Sequence, residues 1–247
     1  VSGKKRIDLI LVERGLAQSR ERAQALLLSG SVIVNGQKIT KSGISVSVDS
    51  EIRLLVSDHG YVSRGALKLI AALDRWNIPV SDRVGLDIGA STGGFTQVLL
   101  ERGASRVYAI DVGHNQLDWK IRSDPRVIIK ERINARTLSN QDVPERVDLI
   151  VIDVSFISLA KILPPTLQLA SQHAEWVTLV KPQFEAGREH VEKGGIVRSE
   201  QVRVRVVEEI QRAGESLGLR SLGLLESPIT GADGNIEYLI HWKRAET

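Results

Sequence analysis

The sequence predicts an α/β protein in two parts: a small α+β unit, then a larger open sheet with helices on both faces. Three observations carry this reading. From Val84 onward, short apolar runs alternate with helical patterns, the layout of a doubly wound sheet. The first run, Val84-Gly85-Leu86-Asp87-Ile88, passes through a glycine turn from Gly89 to Gly94 into a helical pattern. Residues 1–60 follow another rhythm, two short helical patterns and then short strands around an Asn35-Gly36 turn.

In the first part Ile7, Ile10, Leu11 and Leu16 recur at helical spacing, and Gly15 ends that helix. Ser19 is a good N-cap for a helix over 20–28, with Ala23, Leu26 and Leu27 inward and Gly30 as its stop. Val32 to Val34 reads as a strand and Gln37 to Thr40 as its return, while Val46, Val48, Ile52, Leu54 and Val56 continue the alternation. Residues 1–60 hold nine Lys/Arg and six Asp/Glu, so the chain's whole formal charge of +3 falls in its first quarter. A small basic unit on a neutral larger one suggests a nucleic-acid-binding appendage, with Arg20, Arg22 and Lys41 placed to grip phosphate.

Asp58-His59-Gly60 is a short polar break. The expected division is a domain over 1–58, a linker over 59–62 and a second domain over 63–247. Ser63 is expected to cap a helix from Arg64 to Trp76, in which Lys68 lies among apolar neighbours. Strands are expected over 84–88, 106–110, 127–129, 147–152 and 176–180, with two more near 220–225 and 236–242. Ser199 caps a long helix to about Leu217. The strand ends then carry Asp87, Asp111, Asn134, Asp153 and Lys181, where open α/β sheets bind ligands. The polar segment Gln183 to Arg198 is long for an idle loop and can bring Arg188, Lys193 and Arg198 to phosphates.

Composition narrows the chemistry. No apolar run reaches the ~18 residues of a membrane span, and no signal peptide is visible, so a cytoplasmic protein is expected. The absence of cysteine excludes a disulfide, a thiolate metal site and a cysteine nucleophile, and no metal is expected. The glycines, Gly89-Ala-Ser-Thr-Gly93-Gly94 after Asp87, depart from the G-x-G-x-x-G of dinucleotide enzymes. Asp111, about twenty residues on, can accept hydrogen bonds from both hydroxyls of a ribose.

This loop resembles motif I of the S-adenosylmethionine-dependent methyltransferases, D-x-G-x-x-x-G-G, so S-adenosyl-L-methionine is the implied cofactor. After the fourth strand stands Asp153-Val154-Ser155-Phe156, where enzymes that methylate exocyclic amines usually carry N/D-P-P-Y. Enzymes that methylate carbon five of pyrimidines generally use cysteine, which is absent, and an oxygen acceptor remains. A ribose 2′-hydroxyl is a very weak acid, and its deprotonation calls for a base held neutral or a strong local field. Lys68 and Lys181 are candidates, with Asp153 and Glu237 to position them. Glu237, read within a mostly apolar strand, needs a partner there.

Two resemblances complete the reading. The run R-I-D-x-x-L-V-E-R-G-L-A from Arg6, with Ser19-Arg20, Gly30 and Asn35-Gly36, closely resembles the alpha-L RNA-binding motif of the ribosomal protein S-four family. It implies binding to structured RNA by shape and phosphate contacts. Lys68, Asp153, Lys181 and Glu237 resemble, in chain order, the Lys-Asp-Lys-Glu tetrad of FtsJ-like ribose 2′-O-methyltransferases. The chain as a whole resembles the TlyA (haemolysin A) family. The resemblance implies a Rossmann-like methyltransferase sheet, mostly parallel with its last strand antiparallel, behind an α+β RNA-binding domain. It implies methylation of cytidine riboses in bacterial ribosomal RNA, on ribosomal subunits or the free RNA. It makes Lys181 the base, Asp153 and Lys68 its orienting partners, and Glu237 a support for substrate placement. Gly89, Ala90, Ser91, Gly93, Gly94, Phe95, Asp111, Asn134 and Asp153 would line the cofactor. Arg6, Ser19, Arg20, Arg22, Lys41, Arg64 and Arg188 would face RNA. Three rivals stand beside it: a ribosome-binding protein with a vestigial pocket, a membrane-active haemolysin, and a nicotinamide enzyme, which the glycine spacing disfavours.

Overall fold

A computed structural model describes residues 3–17, 19–28, 30–54, 60–231 and 234–245. Val56, Asp58 and, from the expected linker, His59 lie outside the described residues. The chain forms two compact units, Val1–Tyr61 and Val62–Thr247.

The first unit runs β1 (Lys4–Arg6), α1 (Ile7–Glu13), α2 (Arg20–Leu28), β2 (Val32–Val34), β3 (Gln37–Ile39), β4 (Ser45–Ser47) and β5 (Ile52–Leu54). Ser19 caps α2 as expected, its hydroxyl accepting the Arg22 N–H at 3.2 Å. Asn35, at φ +48°, turns β2 into β3, and β2 is the centre of an antiparallel sheet ordered β3-β2-β5. Ile7, Leu11, Leu27 and Val32 form the dry centre between helices and sheet. One element was not legible: Lys4-Lys5-Arg6 has no apolar alternation, yet it pairs antiparallel with Ser45–Ser47. Backbone hydrogen bonds alone define that ribbon.

The second unit runs α3 (Gly65–Trp76), β6 (Val84–Ile88), α4 (Gly94–Glu101), β7 (Arg106–Ile110), α5 (Trp119–Arg122), β8 (Val127–Lys130), β9 (Val147–Ile152), α6 (Leu163–Leu167), β10 (Ala170–Val180), α7 (Pro182–Glu185), α8 (Glu200–Ser216), β11 (Leu219–Glu226) and β12 (Tyr238–Arg244). Its seven strands lie in the order β11-β12-β10-β9-β6-β7-β8, with β12 antiparallel to both neighbours. This is the sheet of a Rossmann-like methyltransferase. The central strands β6 and β9 are buried nearly throughout, hence their mostly apolar sequences, whereas edge strand β11 alternates inward and outward.

Four local expectations need correction. β10 begins at Ala170, not Trp176; its register shifts between Ala170 and Glu175, and the polar Ser171-Gln172-His173 hides the early part. Ser63 does not cap α3, which starts at Gly65 behind Arg64 without a side-chain cap. Glu237 precedes β12 and does not lie within it. Residues 183–198 are not plain loop, since α7, a 3-10 turn at Arg188–His190 and a bridge between Glu192 and Ile196 occupy them.

Several buried polar groups on the central strands of this unit are paired. The indole N–H groups of Trp176 and Trp242 donate to Thr166 and Thr178 at 2.9 Å. Glu175 on β10 meets His241 on β12 at 2.6 Å, Arg83 at 3.0 Å and Lys243 at 3.6 Å. Burial alone would push the Glu175 carboxyl up, but hydrogen bonds from His241 and Arg83 and the nearby charges hold it at about 2, against an ordinary 4.5. A carboxyl depressed in the native state contributes fully above its unfolded value and loses that contribution as pH falls toward the native one. The amount is on the order of 3 kcal/mol. Thermal unfolding should show a Glu175→Gln midpoint below wild type at neutral pH, with the gap closing between about pH 5 and pH 2.

Candidate active site

Strand register builds the site. Ile88 at the end of β6 pairs with Ile110 of β7 on one side and Ile152 of β9 on the other. The next residues, Gly89, Asp111 and Asp153, therefore leave the sheet side by side. Gly89 has φ +85°, and a Cβ there would lie 2.2 Å from the Asp153 carbonyl oxygen, so only glycine lets the two strand ends meet. Gly94 plays a similar part where α4 abuts α3: its Cβ would come 2.1 Å from the Ser63 hydroxyl and 3.2 Å from the Ala66 nitrogen.

Two adjoining cavities open over these strand ends. One, of about 280 Å³, is lined by residues including Arg64, Lys68, Ala90, Gly94 and Phe95. The other, of about 780 Å³, is lined by residues including Asp111, Val112, Asn134, Phe156 and Lys161. Gly89, Ser91 and Asp153 border both. Gly93 borders neither; it faces Leu117 and Ile121 of the neighbouring segment.

Asp111 holds its carboxylate in place by accepting the Gly113 N–H at 2.6 Å and the Ser91 N–H at 2.8 Å, one on each oxygen. Each oxygen keeps acceptor capacity for a ligand hydroxyl. Asn134 caps a 3-10 turn, its side-chain oxygen accepting from the Arg136 N–H at 3.1 Å. Asp87 is fully buried under the glycine loop. Its Oδ2 accepts from the Thr96 hydroxyl at 2.6 Å, while Oδ1 has no partner. Burial pushes the Asp87 carboxyl up to about 7; the Thr96 bond works against this and the charges of Asp153 and Asp111 add to it.

The four tetrad residues form two ion pairs. Lys68 of α3 and Glu237, 2% exposed, meet at 2.5 Å. Lys181, at the end of β10, lies 2.5 Å from Asp153 Oδ1 and donates to the Ser155 hydroxyl at 3.0 Å. The Asp153 contact is one of charge, since Oδ1 has no hydrogen bond of proper geometry. Register again explains the meeting: Val180 pairs with Tyr238, so one step on Lys181 and Glu237 adjoin across β10 and β12. Gln183 ties the two sides, its amide nitrogen 3.4 Å from Glu237. Lys68 and Asp153 both reach the smaller cavity.

The residues expected to face RNA divide by environment. Arg6 and Arg20 are anchored to one buried carboxylate, Asp8. Arg6 donates to it from Nε and Nη2 at 3.0 and 2.8 Å, Arg20 from Nε at 3.0 Å and Gln24 at 3.2 Å. The Arg6 bonds, with those of Arg20 and Gln24, outweigh burial and hold Asp8 well below the usual carboxylate range. Ser19 is engaged as the α2 cap and Arg22 is half-buried, while Lys41, Arg64 and Arg188 are exposed. Arg198 pairs with Glu192 at 3.1 Å. Sequence reasoning missed Asp8 as the anchor, Ser155 as a lysine partner, and Phe156. Phe156 is 89% exposed, at φ +64°, with its ring 4.7 Å from that of Phe184. An aromatic residue in the left-handed region is a backbone outlier of the kind that collects at functional sites.

Such a sheet, with a carboxylate set for a ribose and two lysine–acid pairs beside it, defines a nucleoside-cofactor methyltransferase, and the chain belongs to the FtsJ-like methyltransferase family, matched over residues 61–244. Residues 5–52 match the S4 domain. The chain is 47% identical over 243 residues to the 16S/23S rRNA (cytidine-2′-O)-methyltransferase TlyA of Mycobacterium tuberculosis, covering 98% of this chain and 90% of that protein. It is 43% identical over 241 residues to Hemolysin A of Brachyspira hyodysenteriae, covering 96% and 99%. A protein of Streptococcus thermophilus, solved under a hemolysin name, superposes with a TM-score of 0.77 at 42% identity, covering 100% of this chain and 90% of that one. Among the described residues no helix is long and apolar enough to cross a membrane.

S-adenosylmethionine fits this cleft. Asp111 offers acceptors for ribose hydroxyls, and the buried, unpartnered Asp87 Oδ1 stands behind the glycine turn as a polar group that a cation would suit. The Lys68–Glu237 pair makes a separate demand on the fold, because a buried carboxylate stripped of its cation is costly, about 3–5 kcal/mol. Lys68→Met should lower the unfolding free energy measured in urea by roughly that amount, and the double variant Lys68→Met/Glu237→Leu should recover most of it.

Proposed function

We propose that the chain methylates the 2′-oxygen of a cytidine ribose in bacterial ribosomal RNA, with S-adenosylmethionine as donor, and that it works on ribosomal subunits in the cytoplasm. The observation that carries this is the pairing of two lysines with two acids at the edge of the cofactor cleft, in a chain that also has an S4 domain. The bound cofactor supplies an electrophilic methyl group on sulfur.

This chain's own residues do the rest. Asp111 holds the cofactor ribose, and Gly89, Ala90, Ser91, Gly94 and Phe95 shape the wall beside it, with Asn134 on the far side of the larger cavity. Lys181 Nζ, once its ammonium has passed a proton to Asp153 or to solvent, takes the proton of the 2′-hydroxyl, and Asp153 and Ser155 keep it in place. Lys68, held by Glu237, puts a positive charge at the cavity wall, where it stabilises the developing negative oxygen. Phe156 and Phe184 offer an apolar face to the unstacked target base. Arg6 and Arg20 grip RNA phosphates from the S4 domain, with Arg22, Lys41, Arg64 and Arg188 adding positive charge.

Transfer of labelled methyl from S-adenosylmethionine to ribosomal subunits and to naked ribosomal RNA tests the assignment, wild type beside Lys181→Ala. Wild type should label RNA on a ribose. The variant should lose about a hundredfold or more in rate with cofactor affinity retained. Wild type that binds cofactor but labels neither particle nor RNA would refute the substrate assignment. The S4 domain offers a test with a diagnostic sign. On charge alone, Asp8→Asn removes a negative group beside RNA and should tighten binding. If Asp8 sets the two arginines, filter binding at constant salt should instead show several-fold weaker RNA affinity.

A further inference from the structure

Trp119 is the exception among the tryptophans. Trp176 and Trp242 are fully buried, and Trp76 is half-buried and stacked on His241 at 5.3 Å, whereas Trp119 is 75% exposed. Leaving so large an apolar side chain in water forgoes a substantial gain from burial. Nor does it hang on a loose loop. Trp119 opens α5, and the Asp118 side chain caps that turn by accepting the Lys120 N–H at 2.9 Å. Its neighbours Leu117 and Ile121 are buried, and a Cβ on Gly93 would meet them at 3.0 and 3.2 Å. The turn is thus held from beneath with the indole outward.

Its place is the rim of the cleft. The segment follows β7 at the carboxyl end of the parallel strands, and the Asp118 N–H donates to the Thr92 carbonyl at 3.1 Å. Thr92 lines the smaller cavity. Trp119 itself borders neither cavity, so it stands beside the reacting centre and outside it.

The surroundings indicate what covers it. Asn115, Gln116, Asp118 and Lys120 are all exposed and polar. A protein partner is recognised by a contiguous apolar patch with a polar rim. A lone indole with an ammonium group next to it suits a stacked nucleobase and its phosphate. We propose that Trp119 is a stacking platform for an unpaired base of the substrate RNA other than the target nucleotide, with Lys120 meeting the adjoining phosphate. The inference rests on the RNA methyltransferase reading and adds a second point of contact to it.

Acrylamide quenching of tryptophan fluorescence tests it, because the Trp119→Phe variant identifies the accessible component of the emission. Purified ribosomal RNA, added with S-adenosylhomocysteine, should abolish that component in wild type. Trp119→Ala should bind the RNA about tenfold more weakly, Trp119→Phe should keep most of the affinity, and cofactor affinity should be the same in all three. If RNA binds and is methylated but Trp119 stays quenchable, this inference fails while the functional reading stands. Protection by S-adenosylhomocysteine alone, or by raising protein concentration without RNA, would overturn it in favour of a cofactor flap or a second copy of the chain. Failure of wild type to bind RNA at all would end both readings. Should Trp119→Ala fail to fold, protection in wild type still decides the matter.

Discussion

The alignment of β6 with its two neighbours is the constraint on which the site depends. Because Ile88 pairs with both Ile110 and Ile152, the backbone delivers Gly89, Asp111 and Asp153 to one line. A slip of one residue would turn every side chain of β6 to the opposite face and carry the acids out of reach. The contact that locks this line is steric: the Gly89 backbone lies against the Asp153 carbonyl with no room for a methyl group. On the other flank the antiparallel pairing of β10 and β12 sets Lys181 beside Glu237. Two registers, one parallel and one antiparallel, thus place Asp153, Lys181 and Glu237, and α3 brings Lys68 to them.

Charge and burial then set the roles. Glu237 and Lys68 are largely buried and satisfy each other, which makes them a fixed pair at the cavity wall. Lys181 and Asp153 keep partial exposure, side chains 12% and 21% accessible, and so can meet a substrate. The S4 domain uses a related device: Asp8 is wholly buried, while Arg6 and Arg20, bonded to it, stay half in water. There a buried acid sets the geometry of two cations that face outward.

Much of this was legible in the sequence, for definite reasons. Apolar runs ending in Asp111 and Asp153 mark strand ends, whereas Asp87, also expected at an end, lies inside β6 and is held there by Thr96. The glycine spacing separates this loop from that of dinucleotide enzymes. What stayed hidden depends on pairing across the chain. No local pattern tells which lysine meets which acid, since each pair joins residues far apart in the chain. Asp8 looks like an ordinary first-turn acid until α1 and α2 bring Arg20 and Gln24 onto it. Ser155 and Phe156 carry no signature because their importance lies in a backbone turn. β1 escaped notice because its pairing is all main chain.

Asp87 has one more consequence. Burial raises its carboxyl to about 7, so its charge depends on what stands above it. A cationic ligand bound over the glycine turn would favour the ionised form and so draw a proton off the protein as it binds. The heat of binding would then take on the ionisation heat of whatever buffer receives that proton. A charged sulfonium and its neutral thioether product would differ in this respect, and their affinities would diverge as the surroundings become more alkaline.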